Sequence, residues 1–200
     1  MNETQAQKTN LRIALKDTLA GLPDEVRRAQ SLAACSLVAS TPEFSNASIV
    51  MLFLSMPDEI DTAALALKCW QAGKTVAVPK VSWDQKRMLP TEMTSLHADG
   101  MRTTGRGFRE PIEGKPVPAG AIDLVIVPGL GFSTMGYRIG RGMGFYDRFL
   151  AQPDFIGRSC GLCFEEQLVD SLPVLAHDVP LSMLVTGCAI RRFASSYIGK

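Results

Sequence analysis

The sequence predicts an α/β fold in which helices cover both faces of a largely parallel central sheet. Residues 47–54 and 122–127 are continuous apolar runs, which are typical of strands covered on both faces. A helix-like segment at 62–71 is followed by another apolar run at 74–79, so that strand, helix and strand form a βαβ unit. The expected architecture is therefore a Rossmann-like three-layer sandwich. The chain length suits a single domain, predicted here as residues 1–200.

The N-terminal part of the chain predicts two helices. Residues 8–20 place Leu11, Leu15 and Leu19 on one face, with the spacing of an amphipathic helix. Residues 23–39 follow, with acidic side chains in the first turn, where the helix dipole favours them. The second helix is expected to serve as scaffold.

The rest of the chain predicts shorter elements. These are a pair of short strands at 80–92, a long covering loop at 98–120, a strand at 158–164, a short turn or helix at 165–168, and a closing hairpin formed by 181–186 and 188–193. The covering loop is rich in Gly, Pro and Arg, which favour neither helix nor strand. Trp83 is expected at the surface or at a sheet edge.

The composition is that of an ordinary soluble globular protein, and it excludes two classes of partner. The net charge of +1 argues against a nucleic-acid surface built on bulk charge. No apolar run approaches the ~20 residues that a membrane helix needs. Neither a nucleic acid nor a membrane is therefore expected as a partner, and the chain is expected to be a monomer.

The cysteines predict a cytoplasmic location. Their odd count of five suggests reduced thiols in a chain large enough to build its own core. Cys160 and Cys163 form a C-x-x-C pattern, but on a strand their sulfur atoms would point to opposite faces of the sheet. Packing is therefore the expected role of this pair.

Residues 121–150 carry the strongest indication of function. An apolar run ends at Pro128 and is followed by glycines, and the segment Phe145–Leu150 can then begin a helix. The glycines are Gly129, Gly131, Gly136, Gly140, Gly142 and Gly144. Glycine allows the backbone to approach an anion and to turn its N–H groups toward it. The N-terminus of a helix adds partial positive charge.

Three side chains in the same stretch suit a phosphate site. Arg138 and Arg141 offer bidentate donors, and Asp147 offers a hard oxygen ligand of the kind that holds Mg²⁺. The spacing differs from that of a Walker A loop, because Tyr137-Arg138 stands where Lys-Ser/Thr would be. A flexible loop with two solvated arginines is the alternative interpretation.

Two further groups of charged side chains are candidates for ligand binding. Lys8 and Arg12 lie four residues apart on one face of the first helix, where a solvated pair of cations is the simplest interpretation. Asp58, Glu59 and Asp61 follow the strand at 47–54, at a sheet edge where α/β proteins bind ligands. Asp61 is also well placed to cap the next helix.

The stretch from Pro128 to Leu150 resembles the signature of the 5-formyltetrahydrofolate cyclo-ligase family, also called 5,10-methenyltetrahydrofolate synthetases. Further motifs agree in order along the chain, from residue 8 to about residue 186. They are Lys8-Thr9-Asn10-Leu11-Arg12, Ser55-Met56-Pro57-Asp58-Glu59-Ile60-Asp61-Thr62, Gly107-Phe108-Arg109-Glu110-Pro111, Phe164-Glu165-Glu166-Gln167, and Asp178 five residues after Pro173.

The resemblance implies a reaction. It implies that ATP and Mg²⁺ drive the cyclisation of 5-formyltetrahydrofolate, with or without a polyglutamate tail, to 5,10-methenyltetrahydrofolate. ADP and phosphate are released, and the reaction passes through a phosphorylated formyl intermediate. A non-catalytic sensor or binding domain of related fold, for a phosphorylated metabolite, is the alternative.

The resemblance also implies roles for individual residues. For ATP these are Lys8, Arg12, Arg138, Gly140, Arg141, Gly142, Met143, Gly144, Phe145 and Tyr146, of which Arg141 and Tyr146 are implied to be catalytic. For the folate they are Leu54, Met56, Glu59 and Phe108, with Glu59 accepting hydrogen bonds from the pterin. Asp147 and Asp178 are implied to hold Mg²⁺.

Three residues depart from the family pattern. Ser133 and Ser182 stand where many members have Asp, and Met143 stands where members have Lys or Gly. A missing lysine removes a charge that would neutralise phosphate, and a missing Asp could loosen the geometry of a loop or metal site. These departures bear on the rate and the substrate more than on the fold.

Overall fold

The structure is a computed structural model that describes residues 3–105 and 107–193. Its helices are α1 (Glu3–Ala20), α2 (Asp24–Ala39), α3 (Pro42–Asn46), α4 (Ala63–Gln71) and α5 (Phe145–Leu150). Short 3-10 turns occur at Ala98–Gly100, Ala119–Ala121 and Glu165–Gln167. No helix among the described residues is both long enough and apolar enough to cross a membrane.

The strands form one large sheet and two small ones. They are β1 (Ile49–Met51), β2 (Thr75–Ser82), β3 (Arg87–Glu92), β4 (Met101–Thr103), β5 (Arg109–Pro111), β6 (Leu124–Val127), β7 (Gly131–Ser133), β8 (Arg138–Ile139), β9 (Arg158–Leu162), β10 (Leu168–Val169), β11 (Met183–Val185) and β12 (Ile190–Arg192). The large sheet has the order β12-β11-β9-β6-β1-β2-β3. Its inner strands pair in parallel, and the edge strands β3 and β12 are antiparallel.

The strands of the large sheet contribute alternate residues to two hydrophobic cores. On β6, Leu124 and Ile126 pack with the core on the side of α1, α2 and α4, whereas Val125 and Val127 pack with the core on the opposite side. The second side is covered mainly by α5 and the segments beside it. The predicted three-layer arrangement is confirmed, and its two helical layers are very unequal.

The C-x-x-C pair follows the same alternation. Cys160 packs in the first core and Cys163 in the second, as the strand assignment predicts. Burial raises the pKa of both thiols, so both stay protonated and unreactive. None of the five cysteines forms a disulfide.

Several element boundaries differ from the sequence predictions. The strand predicted at 47–54 is shorter, since β1 ends at Met51 and the Leu52 N–H makes one more bond to β2, at 2.8 Å from the Ala77 carbonyl, before the chain leaves the sheet. The covering loop at 98–120 contains the antiparallel hairpin β4–β5. The closing hairpin is confirmed as the antiparallel pair β11–β12. Asp61 does accept a hydrogen bond at the start of α4, from the Ala63 N–H at 2.9 Å.

The strand order determines where a ligand can bind. Chain order runs outward from β1 to β2 on one side and from β1 to β6, β9 and β11 on the other. Connections after β1 and β6 therefore leave in opposite directions and open a crevice at the carboxyl ends of these strands. The loop containing Glu59 and the glycine-rich loop at 128–144 both begin at this crevice.

Candidate active site

A cavity of about 240 Å³ occupies the crevice between β1 and β6. All ten residues implied to bind ATP line it, together with Asp147 and Asp178. Of the residues implied to bind folate, Leu54, Glu59 and Phe108 also line it. Met56 does not, and instead lines a second cavity on the far side of the same loop. Tertiary structure thus gathers residues that are up to 170 positions apart in the chain.

The glycine-rich loop is shaped by backbone conformations that glycine permits. Gly142 has φ of 102° and Gly144 has φ of 64°, both in the left-handed region. The Arg12 guanidinium lies against Gly142, where a Cβ atom would be in ordinary van der Waals contact with it at 3.6 Å, so the need for glycine comes from the backbone conformation. The Arg12 Nε–H donates to the Gly140 carbonyl at 2.9 Å. Because α5 has only six residues, its dipole contributes less than the arginines do.

Each of three cations in the cavity pairs with a carboxylate from another part of the chain. Lys8 Nζ lies 2.5 Å from Asp178 Oδ2, and both side chains are buried. Arg138 donates to Asp147 at 2.9 Å. The Lys8–Asp178 pair ties α1 to the segment around Asp178. That segment is tied to the glycine-rich loop because Arg138 donates to the Val179 carbonyl at 3.0 Å.

Arg141 joins the two loops at the crevice. It donates to Asp58 at 2.5 Å and to Glu59 at 3.5 Å. Removing ions from water is costly, so such pairs are weak evidence for stability and more often mark a functional site. The arrangement places positive charge along one side of the cavity before any ligand enters.

Asp147 and Asp178 are suitable for Mg²⁺ only together with a phosphorylated ligand. The described residues contain no cluster of three His, Cys, Asp or Glu side chains able to hold a metal. Mg²⁺ usually binds through one or two carboxylates plus substrate phosphates and water. Both carboxylates line the cavity and both lie close enough to Arg138 to influence its pKa. The donor set therefore fits Mg²⁺ when phosphates complete it.

Glu59 is a buried carboxylate aimed at the same cavity. Its side chain is 12% exposed, and its Oε2 accepts the Met56 N–H at 3.1 Å. Burial raises the pKa of Glu59, while the Met56 N–H and Arg141 oppose the shift. A ligand with N–H donors would stabilise the ionised form, as an anchoring carboxylate requires.

Tyr146 and Arg141 carry buried polar atoms that have no partner among the described residues. These atoms are the Tyr146 hydroxyl and the Arg141 Nε, and the Thr104 hydroxyl is the third such atom. Burial, and then the charge of Glu59, raise the pKa of Tyr146, so the phenol remains a hydrogen-bond donor. Because buried polar groups are usually paired, these atoms indicate that a ligand completes the cavity.

Aromatic residues form part of the cavity wall, and they include Trp83, for which the sequence predicted a place at the surface or at a sheet edge. Trp83 lines the cavity and packs edge-on against Phe145 at 5.2 Å between ring centroids, and against Phe108 at 6.2 Å. Trp83 is half-buried in the turn between β2 and the edge strand β3, which agrees with the predicted place, but the sequence indicated no role for it in the site. Pro79, Val81 and Trp83 alternate along β2 and its end, and this period of two could have identified the wall.

The three departures from the family pattern have different environments. Ser133 is buried, and its hydroxyl accepts the N–H groups of Met135 and Tyr137 at 3.3 Å each, closing a turn. Ser182 pairs with Ser159 between β9 and β11. Neither serine lines the cavity, whereas Met143 lines it and is 41% exposed. Only Met143 can therefore contact a ligand directly.

Comparison with known proteins identifies relatives across nearly the whole chain. The sequence profile of the 5-formyltetrahydrofolate cyclo-ligase family matches residues 4–187. The mouse 5-formyltetrahydrofolate cyclo-ligase is 31% identical over 181 residues, which cover 86% of this chain and 89% of that protein. The Escherichia coli K12 protein of the same name is 31% identical over 170 residues, covering 82% and 92%.

A solved structure is similar over the same extent. The NMR structure of Aquifex aeolicus 5,10-methenyltetrahydrofolate synthetase superposes with a TM-score of 0.81 at 30% sequence identity, and the match covers 96% of each chain.

Proposed function

Because this chain belongs to the 5-formyltetrahydrofolate cyclo-ligase family, we propose that it cyclises 5-formyltetrahydrofolate to 5,10-methenyltetrahydrofolate with consumption of ATP. One observation carries the proposal: a single cavity brings together a glycine-rich loop, four cations, a buried carboxylate and an aromatic wall. The loop and the cations suit a triphosphate, and the carboxylate and aromatic rings suit a flat heterocycle with N–H donors.

The chemistry requires activation of the formyl oxygen, which is a poor leaving group. This oxygen attacks the γ-phosphorus of ATP, so that a C–O–P linkage forms and ADP leaves. N10 then attacks the formyl carbon, the C–O bond breaks, and phosphate departs with the former formyl oxygen. The proton of N10 passes to solvent. The protein mainly positions the reactants and neutralises charge in such phosphoryl transfers.

The cations are proposed to bind the triphosphate. Lys8, Arg12 and Arg138 form one side of the cavity, and Arg141 reaches between the two loops. The N–H groups of Gly140–Gly144 are proposed to face the phosphates, with Met143 and Phe145 against the nucleotide. Asp147 and Asp178 would hold Mg²⁺, which neutralises phosphate charge when bound.

The opposite side of the cavity is proposed to bind the folate. Glu59 would accept hydrogen bonds from the pterin, and Leu54 and Phe108 would contact its faces. Met56 would act indirectly, since its N–H holds Glu59. Arg141 and Tyr146 lie between the two halves, where the phosphoryl group would be transferred, and Tyr146 would donate to a phosphate oxygen.

The second cavity is proposed to receive a polyglutamate tail. It is lined by Arg27, Arg28 and Arg109, and it shares Glu59 and Arg109 with the first cavity. Carboxylates of successive glutamates would meet guanidinium groups there. We further propose a monomeric enzyme of the cytoplasm, which the five free thiols support.

The test is an absorbance assay with purified protein, 5-formyltetrahydrofolate and Mg-ATP, following the near-ultraviolet band of the methenyl product. We expect growth of the band only with ATP present. Asp147→Asn should reduce the rate by about 100-fold. Asp154→Asn, which changes an exposed carboxylate outside the cavity, should keep the wild-type rate. ATP binding without any product from folded wild-type protein would overturn the proposal and favour a non-catalytic sensor.

A further inference from the structure

Thr104 has a buried hydroxyl that takes no part in the proposed reaction as described above. The described residues contain three buried side-chain polar atoms without a hydrogen-bond partner, and all three residues line the same cavity. Arg141 and Tyr146 belong to the glycine-rich loop and the helix that follows it. Thr104 comes from a different segment, the turn of the β4–β5 hairpin.

The backbone of Thr104 is fully used in closing this hairpin. Its N–H donates to the Phe108 carbonyl at 2.8 Å, and its carbonyl accepts the Gly107 N–H at 2.9 Å. The turn therefore holds Thr104 in one conformation. Only the hydroxyl is left to interact with whatever enters the cavity.

The hairpin is fixed to the folate side of the cavity by several contacts. Glu110 is buried, accepts from Arg102 at 2.6 Å and accepts the Val81 N–H at 3.3 Å, which ties β5 to β2. Arg109 donates to the carbonyl of Ser55, beside Leu54, at 3.4 Å. Phe108 packs against Trp83. Thr104 therefore lies on the wall assigned to the folate and not beside the cations assigned to ATP.

We infer that Thr104 is a specificity-determining residue whose hydroxyl hydrogen-bonds a polar atom of the reduced folate. This inference rests on the proposed function. A hydroxyl can donate and accept, so it can pair with a carbonyl or with an amine of the ligand. If the hydroxyl is removed, the ligand atom that it pairs with stays buried without a partner, and binding weakens. For the same reason, a ligand that lacks this atom binds less well to the intact site, and this gives specificity.

The test compares Thr104→Val with Thr104→Ser. Valine keeps the shape and removes the hydroxyl, and we expect it to raise KM for 5-formyltetrahydrofolate about tenfold. KM for ATP should stay unchanged, and Thr104→Ser should restore most of the folate affinity. The melting temperature of ligand-free Thr104→Val should equal or exceed that of the wild type, because no hydrogen bond within the protein is lost.

Three results would overturn the inference: an unchanged KM for folate, an equal rise in KM for ATP, or a clear loss of stability in ligand-free Thr104→Val. Failure of the proposed function is separable, because wild-type protein would then form no product. In that case, titration calorimetry with 5-formyltetrahydrofolate tests the role of Thr104 through binding alone. Weaker binding by Thr104→Val than by wild type supports the role of Thr104, and equal binding, or no binding by wild type, refutes it.

Discussion

The two halves of the cavity are built by different physical means. The half assigned to phosphate relies on ion pairs, of which Lys8–Asp178 joins distant segments and Arg138–Asp147 joins β8 to α5. The half assigned to folate relies on aromatic packing and backbone hydrogen bonds, with Trp83 against Phe108 and also against Phe145, which is assigned to the nucleotide. A charged ligand would therefore bind to charged groups that are already in position, and a flat ligand would bind against aromatic rings. The first half should be sensitive to loss of charge, and the second to loss of shape.

The largest expected effect comes from breaking the buried pair of the phosphate half. Arg138→Met leaves Asp147 without its cation, and we expect a loss of about 3–5 kcal/mol in the free energy of unfolding together with loss of activity. Denaturant unfolding measures the first effect. The matched control is Arg192→Met, which breaks the more exposed pair with Glu43 and should leave the free energy of unfolding nearly unchanged.

A double variant identifies the cause of that loss. Arg138→Met combined with Asp147→Asn removes both charges, so part of the lost stability should return. Equal stability of Arg138→Met and wild type would show that the pair does not hold the phosphate half together.

Glu59 should make folate binding and stability respond to pH in opposite directions. Its pKa is raised by burial, so the folded protein binds a proton more tightly than the unfolded chain does. Its contribution to stability is full below the unfolded pKa and is lost as pH rises through the folded pKa. Folate binding needs the carboxylate, so kcat/KM for folate should rise over that same interval, above the ordinary range for Glu.

Glu59→Gln is the variant that tests this dependence. It should lower kcat/KM for folate by about 100-fold, remove the acid limb of the pH profile, and leave KM for ATP within about twofold. A limb that persists unchanged in Glu59→Gln would assign the titration to another group.

Substitution of Trp83, in the half of the cavity assigned to folate, should have a moderate effect on KM for folate. Trp83→Leu keeps an apolar side chain but removes the ring, and we expect KM for folate to rise about two- to tenfold, as for loss of an aromatic contact. In a Trp70→Phe background, Trp83 is the sole tryptophan, and its fluorescence should change on addition of folate. Fluorescence that responds to neither ligand would place Trp83 outside the binding surface.

The smallest expected effect concerns Met143 in the phosphate half. Met143→Lys adds a cation at a partly exposed position on the cavity wall. KM for ATP should fall about two- to fivefold at low salt, and the gain should shrink as ionic strength rises. Met143→Leu serves as the uncharged control. A gain that is independent of salt would have to come from packing and not from charge.

Short-range sequence pattern predicted more of the glycine-rich loop than of the cavity wall assigned to folate. The glycines, Arg138, Arg141 and Asp147 fall within a few residues of each other, so short-range pattern alone placed them at one loop after a buried strand. Lys8, Asp178 and Phe108 were connected to the same site only through family resemblance, because nothing local in their surroundings distinguishes them from solvated or turn residues.

Trp83 and Thr104 show why part of the site could not be read from sequence. Each owes its place in the cavity wall to the packing of a hairpin, β2–β3 for Trp83 and β4–β5 for Thr104. The period of two along β2 marks one face of that strand, but it does not show that this face meets a ligand cavity, and Thr104 has no such pattern. Met56 shows the reverse, since the family motif assigned it to the folate and the structure places it at the second cavity.

By itself the sequence determined the alternation of strands and helices, the parallel central sheet and the glycine-rich loop with its charged side chains, because periodicity, glycine content and charge are properties of a few neighbouring residues. Tertiary structure alone decided which carboxylate pairs with which cation, which face of β2 forms the wall, and which polar atoms are buried without a partner. These depend on the separation of groups far apart in the chain, and that separation is set by the order and twist of the strands.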